Sequence, residues 1–216
     1  MATKGHNILT LNIKSLLNGD DHYVIPAYQR NYAWKEEHIS QLIQDIIDYI
    51  PKSGAAQDYF IGTLVAYERK VGPELFFETI DGQQRITTLT LLTSAIRHFF
   101  PKVPLTWFKK INLDFASRKS SSDTLHHIYM YGKDFSPDYA WNENIVVGFE
   151  LCKELLRKKL AENRVTIQTF AEYLFNRVKI LRVTVPEDTD LNHYFEIMNS
   201  RGEQLEKHEI LKSKFL

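Results

Sequence analysis

ELFFETIDGQQRITTLTLLTSAIRHFF, residues 74–100, changes its apolar period halfway along. Leu75–Ile80 is a short run of apolar, aromatic and β-branched residues, the pattern of a buried strand. Asp81-Gly82 is a turn pair. From Ile86 onward, Ile86, Leu89, Leu92, Ala95, Ile96, Phe99 and Phe100 recur on one face at helical spacing. A strand, a tight polar turn and a helix in this order point free backbone N–H groups at an anion. Gly82 lets the backbone approach a ligand closely, and Arg85 adds a planar fork of donors suited to phosphate oxygens. Gln83 and Gln84 supply neutral hydrogen bonds. The pattern therefore points to a phosphate or nucleotide site centred on Asp81, Gly82, Gln83 and Arg85. The plainer alternative is an ordinary turn with a solvated arginine.

Working outward, Tyr59–Arg69 reads as a strand and Lys70–Glu74 as a turn into the strand Leu75–Ile80. This makes an antiparallel hairpin that feeds directly into the DGQQR turn and fixes it on a rigid element. Upstream, Asn7–Leu17 reads as a short strand leading to a helical turn. Tyr23–Ile25 reads as a strand broken by Pro26. Ala27–Trp34 then holds Tyr28, Gln29, Arg30, Tyr32 and Trp34 in one irregular stretch. Aromatics interleaved with arginine and glutamine stack on bases and bond their edges. Alternatively the three aromatics clamp the loop to the core, with Arg30 in solvent. Lys35–Ile50 is a helix whose buried face runs from Ile39 to Ile50, and Pro51 follows its end. Lys52–Asp58 is a loop.

Downstream of Phe100 the spacing predicts a strand within Leu105–Phe115, an exposed loop over Arg118–Asp123 and a short helix over Asp123–Tyr131. The adjacent His126 and His127 point in different directions on that helix, so no shared metal is expected. Asn144–Leu160 is an amphipathic helix whose basic run Arg157–Lys159 suits a C-terminus. Thr166–Phe175 is another helix, and Val178–Val185 alternates as a strand stopped by Pro186. In the closing stretch Asp190 reads as an N-cap, Gly202 as a helix end, and Asn199–Gly202 as a polar turn. The chain stops inside a further helix, so it is expected to be cut from a longer protein.

The chain has 216 residues, 44% hydrophobic and 25% charged, with zero formal net charge. That composition is ordinary globular and gives no global electrostatic case for nucleic acid, leaving only a local basic patch. Cys152 is the only cysteine and reads as a packing residue on a helix. Neither a signal-peptide apolar region nor a run long enough to span a membrane occurs, so a cytoplasmic protein is expected. The motifs G-x-x-x-x-G-K-[ST], G-x-S-x-G and H-E-x-x-H are all missing, which leaves P-loop, esterase and zinc-protease readings without support.

IPAYQRNYAW (25–34), FIGTLV (60–65), TIDGQQRITTL (79–89) and FEIMNSRGEQLEKHEILK (195–212) occur in that order. This series resembles the N-terminal domain of the GmrSD-type modification-dependent restriction enzymes, from about residue 8 to the end, with residues 101–165 matching only by position. The resemblance implies an α+β fold similar to the ParB/sulfiredoxin group: a mixed sheet core, a hairpin leading to the DGQQR turn, and several packed helices. It implies a core over 1–100, a mainly helical insert over 101–177, and a return strand with the NSRG segment over 178–216.

The resemblance also implies a nucleoside triphosphatase, working with a divalent cation such as Mg2+, that governs DNA cleavage in defence against phage. Asp81, Gly82, Gln83, Gln84 and Arg85 would form the nucleotide site. On chemical grounds rather than from the resemblance, Asp81 and Arg85 are its candidate catalytic residues: Arg85 and Arg201 would neutralise phosphate charge, and Asp81 would orient Mg2+ or the attacking water. Gln29 and Arg30 would lie beside it, with Tyr28, Arg30 and Tyr32 near modified DNA or a base. Asn199, Arg201 and Gly202 would close the site, and Lys212 is a further candidate. The expected partners are a nucleoside triphosphate, modified DNA and a C-terminal HNH-type nuclease domain in the full-length protein, without which cleavage by this chain is not expected. Two other functions fit the same residues. One is a direct nuclease, which needs a metal-binding carboxylate cluster; the other is a DNA-binding or scaffold module in which DGQQR contacts DNA phosphates.

Overall fold

The hairpin ahead of the DGQQR turn forms the middle of a mixed sheet. A computed structural model describes residues 7–18 and 20–185. β3 (Tyr59–Val71) and β4 (Glu74–Asp81) pair antiparallel around Gly72-Pro73, a tighter turn than the sequence predicts. β1 (Asn7–Asn12) and β6 (Val178–Val185) flank β3, while β2 (His22–Ile25) and β5 (Leu113–Phe115) flank β4, in the order β1-β6-β3-β4-β2-β5. β6 runs parallel to β3 and antiparallel to β1; β2 runs parallel to both β4 and β5. The expected α+β class is therefore the observed one. β6, from the third expected part of the chain, completes the sheet beside a strand of the first part.

Alternation explains the burial of β6. Val178, Ile180, Arg182 and Thr184 point into the core, as a period of two requires. Arg182 is tolerated there because its guanidinium bonds Asp21 and the Tyr23 hydroxyl and stacks 4.1 Å from the Phe77 ring centre.

Six helices accompany the sheet among the described residues: α1 (Ile13–Leu17), α2 (Glu36–Asp48), α3 (Gln83–Phe99), α4 (Lys119–Tyr131), α5 (Glu143–Asn163) and α6 (Ile167–Asn176). α2 buries Ile39, Leu42, Ile43, Ile46 and Ile47 as the spacing predicts. Truncating any one to alanine would cost roughly 2–5 kcal/mol.

α3 departs from its expected amphipathic form. Apart from Arg85, it is buried on every side from Gln83 to Ile96, packed against α5 and α4. Its threonines survive burial by bonding backward. The hydroxyls of Thr87, Thr88, Thr90 and Thr93 donate to the carbonyls of Gln83, Gln84, Ile86 and Leu89 at 2.7–2.9 Å. No buried hydroxyl in this series is therefore left unmet.

The strand expected within 105–115 is found there as β5. Two other expectations are corrected downstream. The stretch Arg118–Asp123 is not a loop but the N-cap and opening of α4. Its serines look polar in sequence but bond neighbouring elements: Asn142 Nδ2 donates to Ser121 Oγ at 2.8 Å, and the Phe115 amide to Ser122 Oγ at 2.9 Å. α5 runs past the basic Arg157–Lys159 to Asn163, so that run is not its last turn. No helix among the described residues is long and apolar enough to cross a membrane.

Candidate functional site

The turn between β4 and α3 is built around two glycines. Gly82, at φ 89°, takes the left-handed conformation that a side chain resists. A Cβ there would stand 2.9 Å from the Thr63 carbonyl oxygen, so the turn is pressed onto β3. Gly62, at φ 106°, lies where β3 slips register against β6 between Phe60 and Thr63. An irregular strand of this kind turns its backbone groups toward the adjoining site. The Thr63 carbonyl accepts from Arg85 Nη1 at 3.0 Å. Gly62 and Thr63 were not singled out as site residues by the sequence; the glycine inside the FIGTLV strand was the available signal.

α3 begins without a side-chain cap. Its first backbone bond runs from the Ile86 amide to the Gly82 carbonyl at 3.0 Å. Among the described residues, the amides of Gln83, Gln84 and Arg85 are thus the open donors of the first turn, where the helix dipole is positive. Asp81 is exposed beside them.

Arg85 is half-buried, with Nη1 on the Thr63 carbonyl. Burial lowers its pKa, with Asp81 and Tyr59 acting more weakly in the opposite direction. Among the described residues, no carboxylate lies within ion-pair distance of it, and its Nε and Nη2 have no hydrogen-bond partner. A desolvated cation with no ion-paired carboxylate among the described residues, next to open amides, favours an anion.

The two glutamines have a different role from the one read in the sequence. Both are buried. Gln84 Nε2 donates to the Asn31 carbonyl at 3.0 Å, and its Oε1 accepts from the Ala33 amide at 2.8 Å. Gln83 Nε2 donates to Gln29 Oε1 at 2.9 Å, and Gln29 Nε2 donates to the Ile80 carbonyl at 2.6 Å. These amides stitch the YQRNYA loop to the start of α3 and position it. The loop is held from the insert as well: Arg118 donates to Asn31 Oδ1 and the Pro26 carbonyl, and Asn144 donates to the Tyr32 carbonyl.

The structure therefore brings Gln29, Asp81, Gly82, Gln83, Gln84 and Arg85 together. Arg30 is exposed on the same loop with no bonded partner among the described residues, and Tyr28 is exposed next to it. Tyr32 is corrected. It is 2% exposed, bonds Thr88 Oγ1 at 2.9 Å and fills the slot left by Gly148 on α5, so it clamps the loop and does not face a base. Asn199, Arg201, Gly202 and Lys212 lie outside the described residues.

The Mg2+ expected with a triphosphate has one candidate protein ligand here, the Asp81 carboxylate. No group of three or more His, Cys, Asp or Glu side chains placed for a metal occurs among the described residues. A single exposed carboxylate is compatible with Mg2+, an ion that commonly keeps several waters and takes its other ligands from substrate phosphates.

The family model for the N-terminal domain of the GmrSD restriction endonuclease matches residues 13–216. The chain belongs to this family. No curated protein matches it.

Proposed function

We propose that this restriction-system domain binds a nucleoside triphosphate at the DGQQR turn, and that binding and hydrolysis there govern DNA cleavage in defence against phage. The observation that carries the reading is Arg85, a desolvated cation without an anionic partner among the described residues, set beside the open amides of α3. Phosphate oxygens would take the Gln83, Gln84 and Arg85 amides and the two unbonded nitrogens of Arg85. The side-chain amides of Gln29, Gln83 and Gln84 act by holding the turn and loop in place. Asp81 would hold Mg2+, whose charge would be available to neutralise the phosphates. Arg85 stabilises charge as the terminal phosphoryl group departs, and Asp81 orients the attacking water. Modified DNA and a C-terminal HNH-type nuclease domain are the partners in the full-length protein, with exposed Arg30 and Tyr28 on the DNA side.

A nuclease centre of carboxylate ligands is less well supported, because Asp81 stands without the companions such a centre needs among the described residues. Titration with triphosphates, comparing the native protein with Arg85→Ala, tests the proposal.

A further inference from the structure

A second arginine of α3, Arg97, stands at the opposite end of the helix. An open cavity of about 440 Å³ lies between the end of that helix, the segment 103–109 and α4, lined by Arg97, Val103, Leu105, Thr106, Phe108, Lys109 and Tyr129. The volume is in the range of small-molecule sites. Its cation belongs to an exposed side chain, Arg97, tied through one nitrogen. Arg97 Nη1 donates to the Phe108 carbonyl at 2.9 Å and to the Tyr129 hydroxyl at 3.4 Å. The Tyr129 hydroxyl itself donates to the same carbonyl at 3.1 Å, and the guanidinium carbon sits 4.5 Å from the Tyr129 ring centre. Among the described residues, every hydrogen bond of Arg97 thus falls on Nη1. Its Nε–H and Nη2–H, the side-on pair that suits two oxygens of a carboxylate or phosphate, have no partner among the described residues.

The walls supply the rest of the chemistry. Leu105 and Val103 present apolar surface, and Tyr129 crosses Phe108 edge-on at 87°. Lys109 is exposed and adds a second positive charge, and no carboxylate lines the cavity. Arg85 and Arg97 are twelve residues apart on one helix, about 18 Å along its axis at 1.5 Å per residue. The two arginines therefore cannot share one small ligand.

We propose that this cavity binds a small organic anion, one with a planar apolar body and a single carboxylate or phosphate group. The anionic group takes the Nε/Nη2 edge of Arg97, with Lys109 nearby, and the body lies against Leu105, Val103 and Tyr129. The site is independent of the triphosphate reading.

Calorimetric titration with benzoate, phenyl phosphate and neutral benzamide tests it on the whole chain. Saturable binding of at least one of the two anions, with benzamide at least about tenfold weaker, is expected, and which anion binds separates carboxylate from phosphate recognition. Arg97→Gln should weaken the anion at least about tenfold, whereas Arg85→Ala should leave it unchanged. Because Nη1 also ties two elements together, Lys109→Glu provides a variant on an exposed side chain, with a similar loss expected. Failure of both anions to bind, equal binding of benzamide, or full affinity in Lys109→Glu or in a folded Arg97→Gln would overturn the proposal.

Discussion

The Arg85 guanidinium lies against the bare backbone of Gly62: Cζ, Nη1 and Nη2 all stand 3.3 Å from where a Cβ on Gly62 would be. A strand glycine thus makes room for the charge of a helix that begins twenty-one residues later. Gly62→Ala should push that guanidinium aside and strain a backbone at φ 106°. Triphosphate affinity should fall about tenfold, with a stability cost of about 1–3 kcal/mol. Gly54→Ala is the control. Its φ is 83° with nothing within 4 Å, so it should lose stability without losing affinity. Calorimetry and thermal melts on the two variants check this.

Gln84→Leu should cost about 2–4 kcal/mol, because the Asn31 carbonyl and Ala33 amide lose their partner together. Urea denaturation measures it. A loss under half a kcal/mol would mean that the loop is held by Arg118 and Asn144 alone.

Gly148→Ala should destabilise by about 1–3 kcal/mol, since the new Cβ would meet Tyr32 Cε1 at 2.5 Å. The Tyr32→Ala, Gly148→Ala double variant should lose less than the sum of the two single variants, a non-additivity that a double-mutant cycle in urea reads directly.

Asp114 gives the fold a pH dependence. Its carboxylate bonds His126 Nε2 at 3.2 Å and His22 Nε2 at 3.0 Å. These bonds, His126's first, hold the Asp114 pKa well below the usual carboxylate range and raise that of His126. The depressed carboxylate stabilises the fold above pH of about 4, and that contribution fades as pH falls through its folded value. The raised histidine stabilises it below pH of about 6.5, and that contribution fades as pH rises through its folded value. Asp114→Asn should therefore cost most near pH 5.5, about 1 kcal/mol for so exposed a pair, and less at pH 8.5. Melts at the two pH values decide it.

The elements set by period were legible: Val178–Val185 alternates, the isoleucines of α2 repeat every three or four residues, and the hairpin leads to DGQQR as expected. What escaped depends on partners distant in sequence. The threonines of α3 look solvent-facing until their bonds to the preceding turn are seen, so its all-round burial was hidden. Arg118 reads as loop because nothing local reveals that it reaches Asn31 and Pro26. Gln84 and Arg85 look alike as ligand donors in sequence. Only their partners separate them, since among the described residues Gln84 has both amide atoms engaged and Arg85 keeps two nitrogens open.

The most direct measurement is calorimetric titration of the native chain and of Arg85→Ala with ATP, GTP, CTP and UTP, each with Mg2+, with thermal melts confirming that both are folded. The expected result is saturable binding of at least one triphosphate by the native chain, weakened at least about tenfold in the variant. Equal binding by both proteins, or no binding of any of the four, would contradict a triphosphate site at the DGQQR turn.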